Sequence, residues 1–198
     1  MIKTIIFDYA GVITPTKNNY IFAKKYHKRF GLTPEELMNK TYNNWKPALT
    51  DKKAELEYWK ELSQELNINS DELKDLIIKT FPINPKIIRL IDKIKDKYKI
   101  VMLSNQVESW LEKVIDENNL RNKFHYFINS YHVGTKKPDK RFFLTALEKS
   151  DSRSEETLFI DDSEENIKAA QELGIQCIKY VTFEQFLKEF NRYMIPSL

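Results

Sequence analysis

The chain has 198 residues, 41% of them hydrophobic, and a formal charge of only +3 from 32 Lys and Arg against 29 Asp and Glu. That length suits one main domain with a modest insertion, the lack of a long apolar run argues against a transmembrane helix, and the near-balanced charge gives no case for nucleic acid. The N-terminus lacks the layout of a signal peptide, so cytoplasm is the expected location, and the single cysteine, Cys177, in an apolar stretch, reads as a buried structural thiol.

The first predicted strand runs from Lys3 to Phe7, an apolar run that stops at Asp8 and is followed by Gly11. From about Thr16 to Phe81 the chain offers helix patterns and no convincing strand. Phe22, Tyr26 and Phe30 recur at four-residue spacing among the lysines of one such helix, and the basic residues there read as its solvated face. Thr33-Pro34-Glu35-Glu36 sets an N-cap, a first-turn proline and a capping-box Glu in order, and Ser70-Asp71-Glu72 opens another helix. Asn84-Pro85 restarts the chain as a helix with Ile87, Ile91 and Ile94 on one face. Apolar runs then recur at Ile100 to Leu103, Tyr126 to Ile128, Leu158 to Ile160 and Ile175 to Tyr180, with helical patterns between them. Alternating strand and helix predicts an α/β, doubly wound, Rossmann-like parallel sheet. Residues 1–15 and 82–198 form its core in this reading, and 16–81 are a small helical cap inserted after the first strand. No signal for oligomeric state emerges.

Four polar clusters fall at or beyond predicted strand ends or in a loop before a helix: Asp8, Ser104-Asn105, Lys136-Lys137-Pro138-Asp139 and Asp161-Asp162. In a parallel sheet such groups converge at one edge. Carboxylates, a hydroxyl and an ammonium around one pocket are an inventory for phosphoryl transfer, since a carboxylate approaches an anionic phosphate only when cations and donors offset the repulsion. Asp8, Asp161 and Asp162 are oxygen ligands suited to Mg2+; Lys137 can hold Asp8 and a phosphate together; Ser104 can donate to a phosphate oxygen. His27, His125 and His132 fall in no ligand spacing and read as structural or surface residues. Trp59 and Trp110 read as packing, and Trp45, beside Lys46 and Pro47, as the aromatic best placed to face a substrate.

The stretches IIFDYAGVI, VMLSNQ, VGTKKPDKRFF and LFIDDSEENIKAA resemble the four successive motifs of the haloacid dehalogenase-like superfamily. The resemblance implies a magnesium-dependent hydrolase of a small phosphate ester, with a helical cap between the first two motifs. It assigns the nucleophile to Asp8, phosphate binding to Ser104 with its neighbour Asn105, and the steadying ammonium to Lys137. Metal binding falls to Asp8, Asp161 and Asp162, with the backbone carbonyl of Ala10 completing the shell. The motifs are most similar to a subgroup that includes bacterial alpha-D-glucose-1-phosphate phosphatases.

One residue departs from the phosphatase pattern: the second Asp of the first motif, the general acid and base, is Ala10 here. Proton transfer of that kind contributes about 10²–10⁴-fold. The departure implies intact metal binding with slowed turnover, unless His27, Glu35 or Tyr20 of the cap substitutes. It also opens two alternatives: a phosphate-ligand binding or regulatory protein with little turnover, and a phosphonatase-like C–P hydrolase, which would need a Schiff-base lysine such as Lys24, Lys25 or Lys28.

Overall fold

The structure is a computed structural model that describes residues 1–43 and 45–194. Residue 44 of the expected cap and residues 195–198 of the expected core segment lie outside the described residues. In chain order the elements are β1 (Thr4–Phe7), α1 (Tyr20–Tyr26), a 3-10 turn (His27–Phe30), α2 (Pro34–Asn43), α3 (Trp45–Ala48), α4 (Lys52–Glu65), α5 (Ser70–Ile78) and α6 (Pro85–Ile94). They continue with β2 (Lys99–Ser104), α7 (Glu108–Glu117), β3 (Tyr126–Asn129), α8 (Ser130–Val133), α9 (Lys140–Lys149), β4 (Thr157–Asp161), α10 (Glu164–Gln171), β5 (Gln176–Lys179) and α11 (Phe183–Met194).

All five strands pair in parallel, in the order β3-β2-β1-β4-β5. A strand buried on both faces must be apolar throughout, and β1 shows why the sequence reads as a continuous run. Ile5 and Phe7 point to one face, with Ile100, Met102, Leu158 and Ile160 from the flanking strands, against α6, α7 and α11. Ile6 points to the other, with Val101, Leu103 and Phe159, against Phe142 and Phe143 of α9 and Ile167 and Ala170 of α10. This is the doubly wound α/β fold predicted above, with each strand within one or two residues of its expected limits.

Helices α1 to α5 form the helical insert after the first strand, and their apolar faces join the first of these two cores. Local chemistry sets their starts. Thr33 and Glu36 form the expected reciprocal capping box, Glu36 N–H donating to Thr33 Oγ1 at 3.2 Å and Thr33 N–H to Glu36 Oε2 at 2.7 Å. The cap of α5 is Asn69, one residue earlier than the Ser70 that signals the helix, and it accepts from the N–H groups of Asp71 and Glu72. Asn84 caps α6 ahead of Pro85. Phe22 is buried, with the Tyr26 and Phe30 rings 5.2 and 6.4 Å away, while Lys24, Lys25, Lys28 and Arg29 are exposed, as expected of a solvated basic face. At the root of the insert, Thr16 Oγ1 donates to the carbonyl of Thr80 and Asn84 N–H to that of Ile13, which brings its two ends together. Among the described residues no helix is long and apolar enough to cross a membrane.

Candidate active site

In the order β3-β2-β1-β4-β5 the chain leaves β1 for β2 on one side and later returns to β4 on the other, so the carboxyl ends of β1, β2 and β4 border one crevice. Those ends carry Asp8, Ser104 and Asp161. The loop before α9 adds Lys137, and its ammonium joins the set: Lys137 Nζ donates to Asp8 Oδ1 at 2.5 Å, to Asp161 Oδ2 at 2.9 Å and to the Leu103 carbonyl at 3.0 Å. All three charged residues are nearly inaccessible, at 7% for Asp8, 3% for Lys137 and 0% for Asp161.

Each member is held by its own neighbours. Asn105 clamps the backbone of Lys137 from both sides, its Nδ2 donating to the Lys137 carbonyl and its Oδ1 accepting from the Lys137 N–H. Asp161 accepts from Ser163 N–H at 2.8 Å and from Asn166 Nδ2 at 3.1 and 3.0 Å. Asp8 Oδ1 also accepts from Tyr9 N–H at 2.7 Å. Lys136, the alternative ammonium in this loop, has no place in the network just described, so the proline-adjacent lysine is the one brought to Asp8.

Burial pushes the Asp8 carboxyl up, to about 7; Lys137 opposes that rise and Asp161 adds to it. Burial draws the Lys137 ammonium down, but the Asp161 and Asp8 carboxylates outweigh it and leave the ammonium more firmly charged than in water. With Asp8 and Asp161 both ionised, the single Lys137 ammonium between them leaves this trio one positive charge short.

Asp8, Asp161 and Asp162 each offer a carboxylate oxygen, and the three atoms lie within 4.8 Å of one another. An all-oxygen, all-carboxylate donor set fits a hard divalent cation such as Mg2+. Asp162 reaches this position because Gly11, at φ +98°, has no Cβ: one built there would lie 2.5 Å from the Asp162 carboxyl carbon. Lys17 Nζ sits 2.5 Å from Asp162 Oδ2, with its side chain 61% exposed.

A cavity of about 90 Å³ opens beside these residues, lined among others by Ala10, Lys17, Trp45, Asn105, Gln106 and Trp110. Trp45 lines the cavity, its ring 5.2 Å from that of Trp110 and tilted 59° to it, and Trp110 contributes to the wall as well as to packing. Trp59 is buried against Glu55 and packs. His27 bonds the Leu32 carbonyl, His125 accepts from Ile100 N–H and His132 pairs with Glu108 on the surface. Glu35 and Tyr20 are exposed and, with His27, are not among the residues lining the cavity beside Ala10. Nor are Lys24, Lys25 or Lys28. The amine that does line it, Lys17, was missed in the sequence because nothing but its distance from Asp8 distinguishes it. Cys177 is half-buried and not fully buried as expected, with Sγ near the Ile167 and Ile175 carbonyls, and burial pushes its thiol up to about 12.

A doubly wound parallel sheet thus carries a carboxylate–ammonium–carboxylate cluster at its carboxyl edge. The chain belongs to the haloacid dehalogenase-like hydrolase family, whose model matches residues 2–174. It is 25% identical over 84 residues to a phosphoglycolate phosphatase of Pseudomonas putida, a match covering 42% of this chain and 31% of that protein. The chain thus spans about a third of the P. putida relative's length. A phosphoglycolate phosphatase of Aquifex aeolicus is 24% identical over 176 residues, 87% of this chain and 81% of its own. Among solved structures, a predicted family hydrolase of Porphyromonas gingivalis superimposes with a TM-score of 0.77 over 100% of both chains at 23% identity. A family enzyme of Bacteroides thetaiotaomicron, solved as a magnesium complex, gives 0.76 over 96% and 98% at 23% identity. At those identities the two structures speak for the fold.

The raised Asp8 carboxyl carries a prediction. A carboxylate whose pKa rises on folding opposes the fold once ionised, so the penalty is absent below about pH 4, grows through the interval to about 7 and is complete above it. In metal-free buffer Asp8→Asn raises the melting temperature above pH 7, and the gain fades as pH falls toward 4. Equal melting temperatures at pH 8 would refute it.

Proposed function

We propose that the protein hydrolyses a small phosphate monoester through a covalent aspartyl-phosphate on Asp8. The observation that carries the reading is the Lys137 ammonium held between Asp8 and Asp161 with Asp162 alongside, a buried cluster that is one cation short. Residues 1–15 and 82–198 act as the catalytic core in this reading and 16–81 as its cap.

The hydrogen bonds to Asp8 given above fall on Oδ1, so Oδ2 is the attacking oxygen. Ser104 and Asn105 meet the phosphate at the end of β2, while Lys137 holds Asp8 in place and offsets charge as its oxygen approaches phosphorus. The Asp8–phosphorus bond forms as the bond to the leaving oxygen breaks; water then attacks phosphorus, releasing inorganic phosphate and restoring the Asp8 carboxylate. Asp162 is the carboxylate best placed for direct metal ligation, because Asp161 already spends both oxygens on Lys137, Ser163 and Asn166, whereas the Asp162 ion pair given above is with the exposed Lys17 and engages Oδ2. Asp8 and the Ala10 carbonyl complete the protein's share. A bound Mg2+ supplies the missing positive charge for the phosphoryl group.

Hydrolysis of p-nitrophenyl phosphate tests the reading, since its leaving group needs little protonation. Activity that requires Mg2+, stops with EDTA and is absent in Asp8→Asn is the expected result. No activity, with phosphate still bound, would favour the binding or regulatory alternative.

Ala10 removes the family's proton donor, so turnover depends on how basic the leaving group is. Ala10→Asp raises kcat on alkyl phosphates about 10²-fold or more and changes p-nitrophenyl phosphate far less. An unchanged alkyl rate would mean that the proton reaches the leaving oxygen by another route.

The cavity beside Ala10 suggests the substrate. It is small, walled by Trp45 and Trp110, and Lys17 is the only charged side chain lining it among the described residues. A short phosphate ester bearing a carboxylate suits that content, in line with the names of the P. putida and A. aeolicus relatives. The motif resemblance instead points to alpha-D-glucose 1-phosphate. Lys17→Met lowers kcat/KM for 2-phosphoglycolate about 10–100-fold while changing ethyl phosphate by less than about threefold. Equal losses on both would reject a carboxylate-reading role, and alpha-D-glucose 1-phosphate as the better substrate would select the sugar-phosphate subgroup.

A further inference from the structure

Helix α7 begins four residues after Ser104, and its first turn has no cap of its own: the N-cap residue is Val107, which has no side-chain acceptor. Orphan N–H groups at a buried helix start need partners. Here they find one in the insert. Glu55 of α4, 4% exposed, accepts from Glu108 N–H at 3.1 Å, from Ser109 N–H at 3.0 Å and from Ser109 Oγ at 2.6 Å. Trp59 Nε1 donates to the same carboxylate at 3.3 Å, fixing it from within α4. A carboxylate at a helix N-terminus also meets the favourable end of the helix dipole.

A second bond from the insert lands on the same turn. Ser130 Oγ donates to the Leu49 carbonyl at 2.6 Å and accepts from Gln106 N–H at 3.2 Å, so one buried hydroxyl joins the segment before α4 to the residue two beyond Ser104. The turn between β2 and α7 is thus tied at Gln106, Glu108 and Ser109 to the insert, and at Asn105 to Lys137, which holds Asp8.

We propose that Glu55 is a positioning residue: by capping α7 from the insert, it couples the seating of the insert over the site to the geometry of the Ser104–Val107 turn that meets phosphate. The inference rests on the reading of Ser104 and Asn105 as phosphate contacts. Coupling of this kind is reciprocal, so phosphate must also hold the insert in place.

The test uses the full chain with Mg2+ and inorganic phosphate, which requires no turnover. Calorimetry gives the phosphate affinity, and hydrogen exchange follows Lys52–Glu65 with and without phosphate. Glu55→Gln keeps the size but turns an amide toward N–H groups that need an acceptor; it weakens phosphate binding about tenfold and abolishes the protection that phosphate gives α4 in the parent protein. Ser109→Ala removes one donor and moves both readouts the same way by about threefold, and it carries the test alone if Glu55→Gln fails to fold. Faster exchange in α4 at unchanged phosphate affinity would overturn the proposal, because Glu55 would then only fasten the insert. So would a parent protein in which phosphate leaves α4 exchange unaltered. Coupled binding without p-nitrophenyl phosphate turnover would instead overturn the hydrolase reading and leave this one standing.

Discussion

Everything at the carboxyl edge of the sheet depends on the Lys137 ammonium. Two carboxylates at the ends of adjacent strands, each less than a tenth exposed, repel one another in a medium that screens poorly. One ammonium within 2.9 Å of both makes the arrangement tolerable. It does not make it neutral, since one ammonium faces two carboxylates, and burial still holds Asp8 well above the usual carboxylate range. That residual negative charge suits the site to another cation, and Asp162, admitted by the bare Gly11 and paired with the exposed Lys17, adds a further oxygen ligand. The same constraint explains the Asn105 clamp. An ammonium on a four-carbon stem has ample freedom, and fixing the Lys137 backbone on both sides limits where that charge can sit.

The departure at Ala10 acquires a spatial meaning in this frame. Its side chain borders the cavity beside the cluster. A carboxylate there would have added a further negative charge to a cluster already deficient in positive charge. Ala10 adds no charge to that cluster.

How much of this was legible in the sequence follows from the range of the interactions. The strands were readable because burial on both faces demands unbroken apolar runs, and the chemistry was readable because Asp8, Ser104 and Asp161 interrupt or end those runs at the point where a parallel sheet places its ligand edge. Thr33, Glu36 and Asn84 were readable because capping is local. Asn69 was passed over because Ser70 is an equally good cap by composition, and only the backbone geometry decides between neighbours. Lys17, Glu55 and Ser130 were not readable at all. Their partners lie 145, 54 and 81 residues away or come from separate elements, and they meet only through the angle at which the insert packs on the sheet.

Lys17 and Glu55 share a pattern that bears on how such folds acquire selectivity. The core residues of the site come from strand ends, whose positions the sheet register dictates; the residues that border or brace it come from the insert or its root, whose packing is freer. A side chain at a strand end cannot change without disturbing charge balance around Lys137. Lys17, on the surface-accessible rim, can change at little cost to the fold. Glu55 occupies an intermediate rank: buried and bonded to the core, yet carried by the insert. An insert with its own acidic cap for a core helix cannot drift independently of the turn it caps, so replacement of the insert's substrate-facing residues leaves its docking intact. In the reading proposed above, that separation, with docking by Glu55 and the Leu49–Ser130 bond and the cavity lined by Lys17 and Trp45, lets the pocket vary while the reacting groups stay in register.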